Sequence, residues 1–142
     1  MNELRQRAVR LLARREHTRA ELARKLAPHG TQNEIDSVLN ELARAGLQSD
    51  ARFAESYVRA QAARLGAARL RRTLRQKGID GELAEAHVAE LPDELERART
   101  VWTKKFAVPP ADTREWARQA RFLQGRGFSV ETIRKLLKDI GE

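Results

Sequence analysis

A short pattern that recurs three times along the chain limits the folds open to it. In each copy, two side chains stand four residues apart, and a glycine follows after four more. The copies are Leu22-Leu26-Gly30, Leu70-Leu74-Gly78 and Gln119-Leu123-Gly127. Successive copies are offset by 48 and 49 residues, a period typical of a repeated supersecondary unit. We therefore expect three copies of one unit, built from helices.

Each glycine of the pattern separates two predicted helices. After Gly30, Gly78 and Gly127, apolar side chains recur at intervals of three and four, which places them along one side of a helix. A glycine just past a helix can take the left-handed conformation that closes it, and we predict this for all three. The residues suited to begin the next helices are Thr31 with Glu34, Asp80 and Ser129.

A further helix is predicted before each of these pairs. The segments concerned are 3–15, 50–63 and 93–106. Capping boxes should begin the helices at Thr18–Glu21 and Asp112–Glu115, and the prolines of 108–110 should break the chain. The predicted fold class is therefore all-α, with about nine helices in three tandem three-helix repeats.

The three repeats are predicted to cover residues 1–47, 48–91 and 92–142. A unit of about 48 residues is only marginally stable alone, because a small domain buries a small fraction of its surface. The repeats should therefore stack on their neighbours and form an elongated body that can curve.

The residue inventory excludes several kinds of site. The chain has no cysteine, which excludes disulfides and zinc-thiolate sites. His17, His29 and His87 lack the spacing of metal ligands, so we expect no metal and no cofactor. No apolar run approaches the ~20 residues of a membrane span, and charges occupy the start of the chain where a signal peptide needs apolar residues. We expect a soluble, cytoplasmic protein that binds no membrane.

An enzymatic function is not predicted, and no residue is assigned a catalytic role. The Gly-x-Gly segment at 125–127 follows a predicted helix rather than a strand, and no Gly-Lys-Ser/Thr sequence accompanies it. His87 lies four residues after Leu83, on the apolar side of its helix, which favours a packed histidine over a ligand. The scattered carboxylates are expected to form solvated ion pairs.

Sequence-specific DNA reading is not predicted either. Residues 18–47 resemble the helical part of a winged-helix domain, an arrangement common to many three-helix units. A winged helix would next require a short hairpin. Residues 50–65 instead have helical periodicity, and no turn residue appears before Gly66.

Positive charge is concentrated in the first part of the chain. The formal net charge is +8. Residues 1–79 carry 17 Lys or Arg against 8 Asp or Glu, whereas residues 80–142 carry 11 against 12. Between Ser56 and Ile79 there are seven basic residues and no acidic one. A field of one sign attracts polyanions or acidic partners.

The densest part of this run is RLRRTLRQKG, residues 69–78. On a helix, Leu70 and Leu74 share one side with Ala67, and the arginines spread over the rest. A merely solvated helix face would normally include acidic partners, and the guanidinium fork suits carboxylates and phosphates. The predicted binding residues are Arg59, Arg64, Arg69, Arg71, Arg72, Arg75 and Lys77, continued in the third repeat by Arg118, Arg121 and Arg126. Arg52 could belong to this binding set or, equally, be a structural ion-pair partner.

The middle of the chain contains, in this order, Gly46-Leu47, DARFAESYV at 50–58, Gly66, Leu70, Leu74 and Lys77-Gly78-Ile79. These motifs resemble the central signature of the RecX family, bacterial regulators of the RecA recombinase. LLARREHTRAELARKL near the start and FLQGRGFSVETIRKLL near the end are similar to that family as well. One departure is Ser49-Asp50, where the family often has paired acidic residues; Asp50 alone can cap the helix.

The resemblance implies a fold of three tandem three-helix repeats and no catalysis of the protein's own. It also implies binding in the groove of the RecA–DNA filament, with suppression of ATP hydrolysis, strand exchange and co-protease activity and with filament disassembly. The partners would then be the RecA filament and its single-stranded DNA, bound by a monomer. The alternative is a sequence-independent DNA-binding protein that acts through its basic helical surface and needs no protein partner.

Overall fold

The computed structural model describes residues 2–141 and consists of helices. The helices are α1 (Asn2–Arg14), α2 (Arg19–Leu26), α3 (Gln32–Arg44), α4 (Asp50–Gln61), α5 (Ala67–Gln76), α6 (Gly81–Val88), α7 (Glu94–Lys105), α8 (Thr113–Gly125) and α9 (Val130–Ile140). A 3-10 turn, Ala27–His29, follows α2. Within residues 2–141 there are nine α-helices and no strand, which confirms the predicted all-α class.

The described chain forms two compact units. The first contains the residues up to Tyr57 together with Leu74–Ala84, and the second contains Val58–Thr73 and the residues from Glu85 onward. The middle helices therefore contribute to both units. The repeat boundaries at 1–47, 48–91 and 92–142 stay a prediction.

In the first unit, helices α1, α2 and α3 share a core of aliphatic side chains at the predicted helical spacing. Its buried members are Leu4, Ala8, Leu22, Leu26, Ile35, Val38, Leu39 and Leu42. Burial of such side chains is the main favourable contribution to folding.

In the second unit, α7, α8 and α9 enclose a core that contains one buried amide. Its apolar members are Ala98, Val101, Trp102, Leu123, Phe128, Ile133, Leu136 and Leu137. Gln119 stands where the other two copies of the pattern have leucine, and it is buried. Its amide accepts a 2.7 Å hydrogen bond from Trp102 Nε1 and donates to the Val108 carbonyl at 3.0 Å. The amide is tolerated because both of its ends are hydrogen-bonded.

Most predicted helix starts are present as side-chain caps. Thr18 and Thr31 form complete capping boxes with the glutamates three residues later. The side chains of Asp80, Asp112 and Ser129 accept hydrogen bonds from the first turns of α6, α8 and α9. The helix starts are therefore encoded locally.

The proposed cap of α4 needs correction. Ser49 Oγ accepts the hydrogen bond from Arg52 N at 3.1 Å. Asp50 Oδ1 instead accepts from Arg19 N, at the start of α2, at 2.9 Å. Ser49 therefore caps α4, and Asp50 stabilises a different helix.

Two of the three pattern glycines have the predicted left-handed conformation. Gly78 has φ +87° and Gly127 has φ +94°. A Cβ on Gly78 would lie 2.3 Å from Ala20 Cβ, so the close approach also requires glycine. The prediction for Gly30 is wrong, since its φ is −168°. Pro28 has no N–H to continue the helical ladder, and α2 ends in a 3-10 turn before Gly30 is reached.

Candidate binding surface on helix α5

Helix α5 has the two faces predicted for it. Leu70 and Leu74 are fully buried. All four arginines of the helix, Arg69, Arg71, Arg72 and Arg75, are exposed, and Lys77, just past the helix, is half-buried. The basic residues differ in what they contact. Some make a hydrogen bond or an ion pair with another residue, and we call these held charges. Those that make none are called unheld charges.

Arg71 is paired with an acid that comes from another helix. Its Nε and Nη2 donate to the two carboxylate oxygens of Glu85 on α6, at 2.6 and 3.0 Å. The hydrogen bond from Arg71 holds the pKa of Glu85 below its usual value and raises the pKa of Arg71. Residues 56–79 include no acidic residue, but the fold places the carboxylate of Glu85 against this stretch, at Arg71.

Arg69 holds α5 against the end of α8. Its Nη1 donates to the Gly125 carbonyl at 2.9 Å. A Cβ built on Gly127 would lie 2.3 Å from Arg69 Cβ, so the two backbones approach closely here. Arg69 is therefore occupied in positioning the helix.

Lys77 lies beside α2 and is partly neutralised there. Its Nζ is 3.4 Å from Glu21 Oε2 and 6.0 Å from the centroid of the Phe53 ring. Its carbonyl accepts a 2.7 Å hydrogen bond from Thr18 Oγ1. Burial raises the pKa of Glu21, but the hydrogen bond from Thr18 N and the charges of Arg15 and Lys77 outweigh it and leave that pKa below its usual value.

Arg72 and Arg75 are the unheld charges of α5. They stand three residues apart, one turn along the helix, and both are exposed. Within residues 2–141, no hydrogen bond, ion pair or ring contact engages either guanidinium. Their donors are available to an outside acceptor.

The two predicted residues before α5 are also exposed. Arg59 lies in the last turn of α4. Arg64 donates from Nη2 to Gln61 Oε1 at 2.6 Å, a neighbour three residues away.

The predicted residues of the third repeat differ among themselves. Arg118 makes a two-point pair with Glu115, at 3.0 and 2.7 Å, and this pair lowers the pKa of Glu115. Arg126 is half-buried with its guanidinium 4.9 Å from the centroid of the Phe122 ring. Arg121 is exposed and, in the described part of the chain, has no partner.

Sequence reasoning missed a cation–aromatic cluster in the same region. Phe106 and Phe122 meet edge to face with centroids 5.4 Å apart. Lys105 lies 5.1 Å from the Phe122 centroid, and Arg118 lies 5.1 Å from that of Phe106. Such contacts hold the cations through the ring quadrupole, so these charges are less available than that of Arg121.

Arg52, left open between two roles, is structural. It makes a two-point pair with Glu16 and donates to the carbonyls of Gly46 and Leu47 at 3.0 and 3.1 Å. The hydrogen bond to Glu16 raises the pKa of Arg52. This arginine fixes the turn between α3 and α4.

Glu94 is the residue that positions the start of α5, and no sequence pattern pointed to it. Its Oε1 accepts from Ala67 N at 2.9 Å, and its Oε2 accepts from Thr132 Oγ1 at 2.9 Å and Ser129 N at 3.3 Å. One carboxylate thus serves the N-termini of α5 and α9, where negative charge is favourable. Burial raises the pKa of Glu94, but these hydrogen bonds outweigh it and lower the net value.

Neither a metal site nor a membrane crossing is present in the described residues. No three His, Asp or Glu side chains among them converge as metal ligands. Of the helices between Asn2 and Gly141, none has the length and hydrophobicity that crossing a bilayer requires. Helix α4, rather than a hairpin, comes directly after residue 49, in agreement with the argument against a winged helix.

Three family models match the chain in succession. They are the first three-helix domain of RecX over residues 5–42, the second over 49–87 and the third over 92–137. Together they cover most of the chain in the order expected from the repeat.

Similar proteins carry the same family name. A regulatory protein RecX from Leptothrix cholodnii is 50% identical over 137 residues, which are 95% of this chain and 87% of that one. One from Neisseria meningitidis serogroup C is 43% identical over 136 residues, 95% of this chain and 89% of that one. The crystal structure of RecX from Lactobacillus salivarius matches with a TM-score of 0.84 over 99% of this chain and 96% of that one; at 23% identity it shows the fold. The chain belongs to the RecX family.

Proposed function

We propose that this chain is a non-enzymatic regulator that binds the RecA–DNA filament. In this role it lowers the filament's ATP hydrolysis, strand exchange and co-protease activity, and so modulates recombination, DNA repair and the SOS response. Family membership and relatives named regulatory protein RecX support a regulatory role. The filament as partner follows from the resemblance of the motifs.

The observation that carries the proposal is the pair of unheld guanidiniums on α5. Arg72 and Arg75 point their donors to solvent from a helix whose leucines are buried. A filament presents both protein carboxylates and DNA phosphates, and guanidinium forks bind either with two hydrogen bonds. Arg121 on α8 is a further exposed arginine without a partner among residues 2–141.

The remaining predicted residues have a different part in this proposal. Arg69, Arg71 and Lys77 position the helix through the contacts described above. The residues proposed to add to the positive field around the contact are Arg59, Arg64, Arg118 and Arg126. The chain is proposed to act as a monomer in the cytoplasm.

Sequence-independent DNA binding remains the second candidate function, because exposed arginines without acidic partners suit phosphates equally well. Its affinity for bare DNA would fall steeply with salt. It would also require no RecA for full binding.

The test is ATP hydrolysis by RecA on single-stranded DNA with increasing amounts of this protein. Binding to the same DNA without RecA is measured in parallel. Inhibition at concentrations well below those that saturate bare DNA supports filament regulation. Inhibition only where bare DNA is already saturated rejects it in favour of DNA binding.

A further inference from the structure

Helices α1 and α2 of the first unit border an open pocket of about 190 Å³ whose charged lining is entirely basic or imidazole. Its lining residues are Arg7, Arg10, Leu11, Arg14, Lys25, Leu26 and His29. None belongs to the surface on α5, and none of these seven side chains is acidic.

Two helical spacings bring the basic side chains of the pocket together. Arg7, Arg10 and Arg14 stand three and four residues apart, so they lie along one side of α1. Lys25 and His29 stand four apart, at the end of α2 and in its 3-10 turn. Leu11 and the fully buried Leu26 give the pocket an apolar floor.

Arg7 supplies the observation that points to a ligand. Among the buried side-chain nitrogen and oxygen atoms of residues 2–141, Arg7 Nε has no hydrogen-bond partner. The Nη2 of Arg7 lies 3.8 Å from the exposed carboxylate of Glu3, and this ion pair provides no hydrogen-bond acceptor for Nε. An unpartnered buried donor on a charged group is costly. The Arg7 side chain as a whole is 38% exposed, so an anion in the pocket can contact its guanidinium, and a shift of the side chain on binding would give Nε an acceptor.

The acidic residues nearby do not line this pocket. Glu3 and Glu34 line a separate pocket of about 140 Å³ that shares Arg7 and His29. Glu34 Oε1 already accepts from Thr31 N at 2.8 Å in the cap of α3. An anion is therefore favoured on the side of Arg10, Arg14 and Lys25.

We propose that this pocket binds a phosphate group. Four permanent positive charges border it, and a carboxylate with two oxygens and one charge would satisfy few of their donors. A phosphate offers more acceptor oxygens and matches the guanidinium fork. The phosphodiesters of a nucleic-acid strand and a free phosphate share this chemistry. The site lies outside the surface that carries the proposed function and does not require a filament.

The experiment is an NMR titration of the full chain, labelled with ¹⁵N, at constant ionic strength. The probes are inorganic phosphate, a short oligothymidylate and, as the blank, chloride. We expect the Arg7 Nε–Hε signal to shift and to saturate. Saturation with inorganic phosphate identifies a free-phosphate site, and saturation with the oligothymidylate alone identifies a strand site; either supports the proposal. No saturable shift with either probe overturns it.

Matched variants separate the pocket from net charge. Arg10→Gln with Arg14→Gln removes two exposed lining charges and is expected to weaken binding about tenfold. Arg24→Gln with Arg44→Gln removes the same charge from exposed positions outside the lining and should change affinity by less than about twofold. Equal losses in the two variants would overturn the proposal. Circular dichroism confirms that each variant is folded.

Discussion

Helix α5 and its counterparts α2 and α8 share a scaffold but differ in where their acids come from. All three place the pattern residues inside, at 22 and 26, 70 and 74, and 119 and 123. Helix α2 carries Glu21 in its own capping box, and α8 carries Glu115 in its first turn. Helix α5 has no acid, and Glu94 of α7 supplies the carboxylate at its start.

This difference shows how the repeat accommodates a basic helix. Because the carboxylate that caps α5 comes from a residue 27 positions away, α5 needs no acidic residue of its own, and all of its charged residues can be basic. The pairing partners are also remote, since Glu85 holds Arg71 while Arg72 and Arg75 stay unheld. The scaffold is thus common to the repeats, and a helix whose charged residues are all basic distinguishes α5 from α2 and α8.

The largest effect should come from the shared scaffold. Leu74→Ala and Leu26→Ala each empty a fully buried site, so each should lower the free energy of unfolding by about 3 kcal/mol. Urea unfolding measures both. Leu47→Ala, at a position 43% exposed, is the control and should cost less than about 1 kcal/mol. If Leu74→Ala lowered the free energy of unfolding much less than Leu26→Ala, the matching leucines of the two repeats would not be equivalent.

The next largest effect on stability should come from the pattern glycines, where Gly78 and Gly30 should differ in the cost of replacement by alanine. Gly78→Ala places a side chain at φ +87° and against Ala20, and should cost about 2 kcal/mol. The alanine of Gly30→Ala would have an ordinary extended conformation, and its Cβ would meet the ends of two side chains, Leu4 Cδ2 at 3.1 Å and Glu34 Oε1 at 3.5 Å. It should therefore cost clearly less in the same urea experiment. The reverse order would contradict the conformations described for these turns.

The borrowed cap of α5 should have a smaller effect, of about 1 kcal/mol. Glu94→Gln removes the charge at two helix N-termini. The folded-state pKa of Glu94 is lowered, so its contribution is present above the unfolded-state pKa of about 4.3 and is lost as pH falls through the folded value. The gap in stability between wild type and variant should therefore close in acid.

Thermal unfolding across this pH range measures the gap at Glu94. Glu96→Gln, an exposed glutamate of the same helix, is the matched control. A gap that persists unchanged at low pH, or an equal loss in the control, would show that the charge of Glu94 does not stabilise these helices.

The smallest effect on stability should come from the surface arginines. Arg71→Gln breaks an exposed ion pair, and such pairs contribute little. The urea midpoint should be almost unchanged, as it should be for Arg72→Gln, which breaks no pair. A clear loss at Arg71 alone would mean that the pair with Glu85 is needed for the fold.

Local features of the fold were predictable, and remote ones were not. Thr18, Thr31 and Ser129 begin their helices because each cap depends on a residue three positions away. The inward leucines follow from helical spacing in the same way. The capping role of Glu94 was not predictable, because its partners lie 27 to 38 residues away in the sequence.

The candidate site shows the same division. The basic face of α5 follows from the helical wheel, but its accessible part does not. Glu85 and Glu21, which hold Arg71 and Lys77, lie 14 and 56 residues away in the sequence. Only the tertiary structure reduces the predicted patch on this helix to Arg72 and Arg75.

Arg72 and Arg75 are proposed to make the contact through which the protein regulates the RecA filament. The direct measurement is inhibition of RecA ATP hydrolysis by Arg72→Glu with Arg75→Glu, compared with Arg24→Glu and Arg44→Glu, which reverse the same charge elsewhere. The concentration for half-inhibition should rise at least about tenfold in the first variant and stay within about twofold in the second. Unchanged inhibition by a folded Arg72→Glu, Arg75→Glu protein would contradict the claim.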